Sequence, residues 1–420
     1  MDNPRRAFIL SDMNTDTDIA VIGGGLNGPL LALAMASQGH RVTVIDATAQ
    51  SVRKNAAFDG RSYAVALTSQ RLLAGLGLWR QLADHAQPML EIKVTDGRAG
   101  EGPSPFFMHF DHAEIEEGPM GYMVQDRHLR RALIDAMDAS DHITQLSGHA
   151  VTGQRAHPAG ITLTLDNGKL LTARLAVGAD GRASGTAQRA GIKRIAWSYD
   201  QTALVCAIEH DLPHHGIAHQ FFMPQGPLAI LPLPGNVSSI VWSETDANAR
   251  AFNALPDADY IDMLRPRFGD FLGDIRLTGK RWTYPLGLSL TTEMVADRVA
   301  LIGDAAHGVH PIAGQGLNAG MRDIAALAEV LTVATRRGED IGSVATLARY
   351  QEWRRFDNTA LAMATDAFNR LFSNDNPILR IGRDIGMGVI GALPGPRRGA
   401  IREAAGLTGE LPRLMQGKPL

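Results

Sequence analysis

Short apolar runs alternate with segments of helical periodicity at the start of the chain. Asp18 to Ile22 is a run of the kind found in buried parallel strands. Leu30 to Ala36 favours a helix that Gly39 ends, and Arg41 to Asp46 is a second strand-like run that closes on an acid. Strand, helix and strand in this order predict a βαβ unit, and therefore a parallel sheet of the α/β class.

The turn between the first strand and its helix is rich in glycine. Gly23, Gly25 and Gly28 match the pattern G-x-G-x-x-G, which permits a tight turn, approach of a pyrophosphate and close helix packing. Asp46 follows Gly28 by 18 positions and is placed to accept hydrogen bonds from ribose hydroxyls. The unit therefore predicts a dinucleotide site, without choosing between FAD and NAD. Its predicted binding residues are Gly23, Gly25, Leu26, Asn27, Gly28 and Asp46.

Two later apolar runs also end in a carboxylate within a glycine-containing turn. Leu175 to Val177 leads into Gly178-Ala179-Asp180-Gly181, and Val299 to Ile302 leads into Gly303-Asp304. A carboxylate at the tip of a parallel strand lies where open α/β sheets bind ligands. Asp304 can therefore accept a hydrogen bond from a ribose or ribityl hydroxyl.

The densest chemistry of the chain follows the last of these strands. Residues 310–323 read His-Pro-Ile-Ala-Gly-Gln-Gly-Leu-Asn-Ala-Gly-Met-Arg-Asp. Pro311 stiffens the backbone, and Gly314 and Gly316 let it approach a flat or anionic ligand. From Leu317 the apolar residues recur at helical spacing, so the N–H groups of a helix N-terminus are expected to face that ligand.

Residues 191–285 read as β-rich, with short runs that prolines interrupt. We interpret this block as a substrate-binding sheet. Several of its large apolar residues either line an apolar pocket or form core, and the pattern does not separate the two. They are Phe221, Phe222, Leu228, Ile230 and Trp242.

Composition and charge exclude several classes of function. With 420 residues, 45% of them hydrophobic and 20% charged, the chain is expected to be globular, with two or so domains. A formal net charge of -3 gives no electrostatic case for nucleic acid as a partner. The lone cysteine, Cys206, excludes an internal disulfide and suits a reducing compartment, and its apolar neighbours predict a buried, inert thiol.

Neither a metal site nor a membrane-spanning helix is expected. The close histidine pairs lack the additional ligands that a metal site needs, so we expect no metal. No run reaches the roughly 18 apolar residues of a membrane-spanning helix. The expected location is the cytoplasm, with a peripheral position at the inner membrane left open.

The run from His310 to Gly320, closed by Asp323, resembles the signature of the ubiquinone-biosynthesis hydroxylases. These are single-component flavoprotein monooxygenases related to para-hydroxybenzoate hydroxylase. The resemblance implies a Rossmann-like FAD-binding domain with an inserted β-sheet substrate domain and a C-terminal helical segment, an α/β fold. The order of the three glycine-rich turns is similar to that of this family, whereas an ordinary NAD dehydrogenase needs only the first, which favours FAD.

The resemblance also implies domain boundaries and cofactors. The FAD-binding domain is expected to be discontinuous, at 17–75, 118–190 and 286–345. The substrate domain is expected at 76–117 and 191–285, and a C-terminal helical region at 346–420. FAD is expected to bind without a covalent link, NAD(P)H to act as a transient reductant and O2 as the co-substrate.

Residue roles carried over from the resemblance complete the predicted site. Pro311, Gly314, Gln315 and Gly316 form a loop at the flavin ring and are the predicted catalytic segment. Asp304 is expected to bond the ribityl chain, and Asp180 to support the fold near FAD. The remaining predicted cofactor contacts are Arg61, Gln125, Gly303, Gly316, Leu317 and Asn318. A general base that ionises the phenol stays unassigned. His219, His307 and His310 are candidates, although a structural, hydrogen-bonded role is favoured for each.

The resulting hypothesis is hydroxylation of a polyprenylated phenol in ubiquinone synthesis, through a flavin C4a-hydroperoxide. Three alternatives stay open: a hydroxylase of a small soluble aromatic acid, a non-catalytic FAD-binding subunit of a biosynthetic complex, and a flavin reductase of isoprenoid chains. The apolar stretch Ile378 to Leu393 with the arginines after it suits either a membrane surface or a helix packed on the parent domain.

Overall fold

The computed structural model describes residues 15–100, 102–308, 315–372 and 393–420. Three predicted site residues, His310, Pro311 and Gly314, lie outside these ranges. The predicted apolar stretch that begins at Ile378 lies outside them as well, up to residue 392.

Within the described ranges, the strands make up three sheets. In chain order they are β1 Thr17–Ile22, β2 Val42–Asp46, β3 Ser62–Ala66, β4 Ala86–Met89, β5 Glu91–Arg98, β6 Gly102–Asp111, β7 Gly121–Gln125, β8 Ile143–Ser147, β9 Val151–His157, β10 Gly160–Leu165, β11 Leu170–Gly178, β12 Arg194–His210, β13 Ile217–Phe222, β14 Leu228–Leu233, β15 Val237–Thr245, β16 Ile275–Thr291, β17 Val295–Ala296, β18 Val299–Leu301 and β19 His307–Gly308.

Helices of very different length connect and cover these strands. They are α1 Asn27–Ala36, α2 Gln50–Arg53, α3 Leu67–Gly75, α4 Trp79–Leu82, α5 Asp126–Asp138, α6 Gly185–Arg189, α7 Asp246–Asn253, α8 Asp257–Phe268, α9 Gln315–Arg336, α10 Val344–Phe372 and α11 Pro394–Ala404. Short 3-10 turns occupy Ala83–His85, His112–Glu114, Gly303–Ala305 and Arg413–Gln416.

The first sheet has the order β17-β18-β11-β1-β2-β8, with β10 and β9 continuing from β11. β1 runs parallel to β2 and β11, and β11 runs parallel to β18. Its strands, α1, α5 and α9 share one buried core, to which Val21, Leu31 and Leu327 belong. The carboxyl ends of β1, β2, β11 and β18 therefore meet at one edge, where open α/β sheets bind ligands.

The second sheet has the order β19-β16-β12-β15-β14-β13-β5-β6. Side chains alternate between its two faces. On one face Leu204, Phe221 and Trp242 pack against Leu264 of α8. On the other face Ala207 packs against the three-stranded sheet β3-β7-β4, and we call this the inner face.

The C-terminal elements are packed onto both sheets. Ile401 of α11 packs against Val94 and Phe110 on the inner face. Leu414 and Met415 of the last 3-10 turn join the core of the first sheet. The fold class predicted from the sequence is confirmed: an α/β dinucleotide-type sheet, a second β-sheet and C-terminal helices.

The predicted domain boundaries stay a proposal. Leu78 and Leu82, expected in the substrate domain, lie in the core of the first sheet. β16 runs from Ile275 to Thr291 and so crosses the proposed boundary at 286.

Candidate active site

The glycine-rich turn after β1 uses its three glycines in different ways. A Cβ on Gly23, whose φ is +115°, would overlap the carbonyl oxygen of Ala179. A Cβ on Gly28 would overlap the carbonyl oxygen of Gly23. A Cβ on Gly25 would meet nothing within 4 Å. The close approach of the turn to Ala179 and to the start of α1 thus requires glycine at two positions, and the third faces open space where a pyrophosphate can approach.

The acid at the end of β2 lies beside this turn. Asp46 Oδ2 accepts a hydrogen bond of 2.5 Å from the Gly24 N–H. Arg53 donates to the Gly24 carbonyl oxygen over 3.0 Å and so braces the turn from the other side. Asp46 remains half-buried at the sheet edge, within reach of a ligand in the turn.

Asn27 lies where three segments predicted to bind the cofactor come together: the start of α1, the turn at Gly303 and the first part of α9. It begins α1, and a Cβ on either Gly303 or Gly320 would overlap its side-chain amide. Its Oδ1 atom is buried without a hydrogen-bond partner in the described part of the chain. A buried acceptor of this kind fits a hydroxyl or amide of a bound group. Leu26, one residue earlier, packs at the margin of the first core.

The other two strand-end carboxylates have different environments. Asp180 accepts hydrogen bonds from the hydroxyls of Ser184, over 2.5 Å, and Thr186, over 2.8 Å, so it builds the start of α6. Asp304 lies on the turn Gly303–Ala305 with 45% of its side chain exposed, 3.4 Å from Arg182. Asp304 is therefore accessible to a ligand, whereas Asp180 serves the local fold.

The start of α9 is held against β3. Asn318 Oδ1 accepts from the Ala66 N–H over 2.9 Å, and its Nδ2 donates to the Ala64 carbonyl over 2.9 Å. Gln315, Gly316 and Leu317 occupy the first turn, where helical N–H groups lack partners inside the helix. Their backbone N–H groups are therefore available to a bound cofactor.

Arg61 precedes β3 and Gln125 ends β7, so the two lie at the same end of this strand pair, and both are engaged by protein groups. Arg61 pairs with Asp59 at 2.7 Å and Asp126 at 3.2 Å, and its guanidinium lies 4.6 Å from the Trp282 ring centroid. Gln125 Oε1 accepts a hydrogen bond from Arg127 Nε over 2.8 Å. Arg61 therefore connects the segment before β3 and the start of α5 to Trp282 on β16 of the second sheet.

A buried carboxylate behind the site was not assigned a role from the sequence. Asp323 of α9 has no exposed surface. Its Oδ2 accepts from the Gly303 N–H over 3.0 Å and from His307 Nε2 over 2.5 Å. Its Oδ1 accepts from Arg354 Nε over 2.9 Å and from Asn358 Nδ2 over 3.3 Å. The sequence motif that begins at His310 ends at Asp323, but nothing in the motif indicates that Asp323 contacts Arg354.

Burial alone would raise the pKa of Asp323, but His307 and Arg354 outweigh it and lower this pKa from 3.8 to about 2. A depressed pKa stabilises the fold at any pH above 3.8, and that stability is lost as the pH falls towards 2. We expect Asp323 ionisation to contribute about 2 kcal/mol that disappears in this window. Urea unfolding of the wild type and Asp323→Asn at several pH values measures it.

The stability difference between these two proteins should shrink as the pH falls below about 4. Asp297→Asn, at an exposed position, is the control and should show no such trend. A wild-type advantage that is the same at pH 3 and pH 7 would contradict this assignment.

The described histidine candidates for a general base both occupy structural positions. His307 is 3% exposed and its Nε2 is bonded to Asp323. His219 stacks with Phe221 and lies 4.6 Å from the Phe271 ring, on the α8 face of the second sheet. Burial, helped by Lys93, lowers the pKa of His219 to about 4. Neither histidine faces the site.

Cysteine and metal chemistry are not supported in the described residues. Cys206 is fully buried, and burial raises the pKa of its thiol to about 12. Within the described ranges, His, Cys, Asp and Glu side chains form no group of three that could hold a metal ion.

The inner face of the second sheet carries a row of half-buried residues in register across five strands. They are Gln220, Ala229, Val241, Val205 and Trp282. The neighbouring row contains Ser243, Ala203 and Tyr284. Five large residues were expected either to line a pocket or to form core, and four of them lie in the core on the α8 face: Phe221, Leu228, Ile230 and Trp242. The fifth, Phe222, packs on the inner face with Val94 and Ile401.

Over most of its length the chain is similar to known proteins. A family model described as an FAD binding domain matches residues 16–365. The ubiquinone hydroxylase UbiL of Rhodospirillum rubrum is 44% identical over 96% of this chain and 93% of its own length. The 3-demethoxyubiquinol 3-hydroxylase of Escherichia coli is 33% identical over 94% of this chain and 100% of its own.

Solved structures agree on the fold. The p-nitrophenol 4-monooxygenase PnpA of Pseudomonas putida DLL-E4 superposes with a TM-score of 0.77, covering 94% of this chain and 98% of that chain at 19% identity. The open space at Gly25, the buried oxygen of Asn27 and the accessible Asp304 fit FAD as the group held at this sheet edge. The family match and the relatives extend over nearly the whole chain, which therefore belongs to the FAD-dependent monooxygenase family of the ubiquinone hydroxylases, as its glycine-rich signature predicted.

Proposed function

We propose that this protein hydroxylates the aromatic ring of a polyprenylated phenol intermediate of ubiquinone synthesis. The observation that carries the proposal is the inner-face row from Gln220 to Trp282, which is largely apolar and half-buried, on the face that packs against the β3-β7-β4 sheet. Ubiquinone hydroxylases among the relatives support the same substrate class.

The inner-face row suits the ring of such a substrate. Ala229, Val241 and Val205 are small, so an aromatic ring can lie against the sheet and exclude water from the reacting atoms. Gln220, which also donates a 3.4 Å bond to the Leu228 carbonyl, has an amide that can hydrogen-bond the phenol hydroxyl. Bound FAD, reduced by NAD(P)H, supplies the oxygen-transfer chemistry with O2.

The other predicted roles remain proposals. Gly23, Gly25 and Gly28 would hold the pyrophosphate, Asp46 the ribose and Asp304 the ribityl chain. The backbone N–H groups of Gln315 to Leu317 would stabilise negative charge on the flavin ring. Pro311 and Gly314, the other residues of the predicted catalytic loop, lie outside the described residues.

The charge of the inner face favours a neutral phenol over an aromatic acid. An aromatic acid calls for a cation or a cluster of polar donors at its carboxylate. The two inner-face rows consist of uncharged side chains, and Arg61 above Trp282 is already neutralised by Asp59 and Asp126. The soluble-acid alternative is therefore the weaker one.

His219→Gln tests the placement of the general base. Because His219 lies on the α8 face, we expect this variant to retain turnover within about twofold and to show an unchanged pH profile. Steady-state NAD(P)H oxidation coupled to product formation measures both. Loss of the wild-type pH profile in His219→Gln would return this residue to the mechanism.

Peripheral membrane association, or membership of a ubiquinone-biosynthesis complex, is part of the proposal. In the described residues no helix is long and apolar enough to cross a bilayer. The outward side of α10 carries Phe356, 78% exposed, and Met363, 68% exposed, and exposed apolar residues of this kind support binding to a lipid surface or a partner. Cosedimentation with phospholipid vesicles distinguishes the two.

Deletion of the gene tests the proposed function. We expect the deletion strain to accumulate a polyprenylated phenol that lacks one ring hydroxyl, identifiable by mass spectrometry. The ring position that lacks oxygen identifies the carbon on which the protein acts. Normal quinone content in the deletion strain would move the assignment to a soluble aromatic substrate.

A further inference from the structure

We propose that Asp323 and Arg354 form a positioning device through which the C-terminal helix α10 sets the affinity of the site for FAD. The device acts on the turn Gly303–Ala305, which carries Asp304. The inference rests on the proposed ribityl contact of Asp304. Neither Asp323 nor Arg354 would itself touch the cofactor, so both are positioning residues.

The contacts of Asp323 define the device. Its two oxygens accept from Gly303 and His307 on one side and from Arg354 and Asn358 on the other. Gly303 directly precedes Asp304, and His307 begins β19, which joins the edge of the second sheet. One carboxylate thus fixes both ends of the segment between the two sheets.

All four partners of Asp323 donate hydrogen bonds. An ionised carboxylate carries no hydrogen and accepts at both oxygens. An asparagine at this position would instead turn an NH2 group towards two of the donors. The buried negative charge needs a buried counter-charge, and Arg354, 2% exposed, supplies it. Replacing Arg354 therefore leaves Asp323 undercompensated while the groups that could touch FAD are unchanged.

Arg354 also connects the site to the C-terminal end of the chain. It pairs with Asp357 at 2.6 Å, and Asp357 lies 3.6 Å from Arg322. Arg322 donates to the Gly406 carbonyl, just after α11, over 2.7 Å. A continuous set of hydrogen bonds and ion pairs therefore runs from the segment just after α11 through α9 and α10 to the turn that carries Asp304.

Hydrogen exchange and FAD titration of the apo-protein test the device. In Arg354→Met we expect the peptide 299–308 to exchange at least tenfold faster, with peptide 228–245 of the second sheet unchanged. The FAD dissociation constant should rise at least tenfold. Arg354→Lys, which keeps the charge but not the fork of donors, should lie between this variant and the wild type.

Arg355→Met is the matched control, since Arg355 is the exposed neighbour on the same helix. It should leave both measurements within twofold of wild type. Should Arg354→Met not fold, Asn358→Ala removes one donor and should shift exchange of 299–308 in the same direction, about threefold.

Unchanged exchange of 299–308 in a folded Arg354 or Asn358 variant would overturn the proposal. Equal acceleration in both peptides would overturn it too, because that marks a global loss of stability. Local acceleration with wild-type FAD affinity would refute control of the cofactor site. Failure of the wild type to bind FAD would instead refute the proposed function, and the exchange data would still decide the positioning role.

Discussion

Gly25→Val is expected to abolish FAD binding while leaving the fold intact. A Cβ at Gly25 meets nothing within 4 Å, so a side chain at this position extends from the backbone into open space in the apo-protein. It would fill the space through which the pyrophosphate must approach the backbone N–H groups of the turn. We expect the FAD dissociation constant to rise by more than about 100-fold, roughly 2.7 kcal/mol. Flavin fluorescence titration measures it, with thermal unfolding as the check on folding.

Two other glycines give matched comparisons. Gly28→Ala should destabilise the fold itself, because its Cβ would overlap the Gly23 carbonyl oxygen. Gly399→Ala, in α11 with open space around its Cβ, should leave FAD binding unchanged and should not lower stability, because alanine favours a helix by up to about 1 kcal/mol over glycine. Near-normal FAD affinity in Gly25→Val would show that the pyrophosphate does not lie at this turn.

Asp304→Ala is expected to weaken FAD binding about 10- to 100-fold. A hydrogen bond to a charged group typically contributes about 1.5–3 kcal/mol, and the carboxylate is the group proposed to hold the ribityl chain. Because the Asp304 side chain is 45% exposed and its ion pair with Arg182 is 3.4 Å long, the stability of the apo-protein should hardly change. Stoichiometry of bound flavin and the dissociation constant measure the effect.

Asp274→Ala is the control, because Asp274 is also an exposed carboxylate in an ion pair. Its side chain is 78% exposed and pairs with Arg265. It should retain full FAD stoichiometry. If Asp304→Ala also retained full stoichiometry and wild-type affinity, the assignment of Asp304 to the ribityl chain would be wrong.

Elements that local sequence determines were predicted closely. The first strand was expected at Asp18 to Ile22 and is Thr17–Ile22, and the helix after the signature begins at Gln315, two residues before the expected Leu317. Glycine-rich turns and continuous apolar runs are direct sequence signals of such strands and helices. The pairing of distant strands is not local information. The 17-residue strands β12 and β16, and the parallel pairing of β13 with β5, depend on contacts that no short pattern contains.

The candidate site shows the same difference between features set by local sequence and features set by tertiary contacts. Gly23, Gly28 and Asp46 come together at the sheet edge as their spacing predicted. Asn318, expected as a cofactor contact, uses its amide to hold β3, and Arg61 is bound by Asp59 and Asp126. Side-chain partners of this kind are set by tertiary packing and do not follow from a motif.

The inner-face row and the Asp323 contacts were not found from the sequence for the same reason. Ala229 and Val241 are ordinary strand residues until the sheet order puts them beside Val205. Arg354 lies 31 residues from Asp323 on another helix, and only the folded chain brings them to 2.9 Å.

The most direct test of the central proposal is a single-turnover assay with purified protein, FAD, NAD(P)H, isotopically labelled O2 and a polyprenylated phenol. We expect one labelled oxygen atom in the ring of the product, with NAD(P)H consumed in equal amount. The contradicting result is FAD-bound protein that consumes NAD(P)H and O2 only to release hydrogen peroxide with the phenol, yet hydroxylates a small aromatic acid.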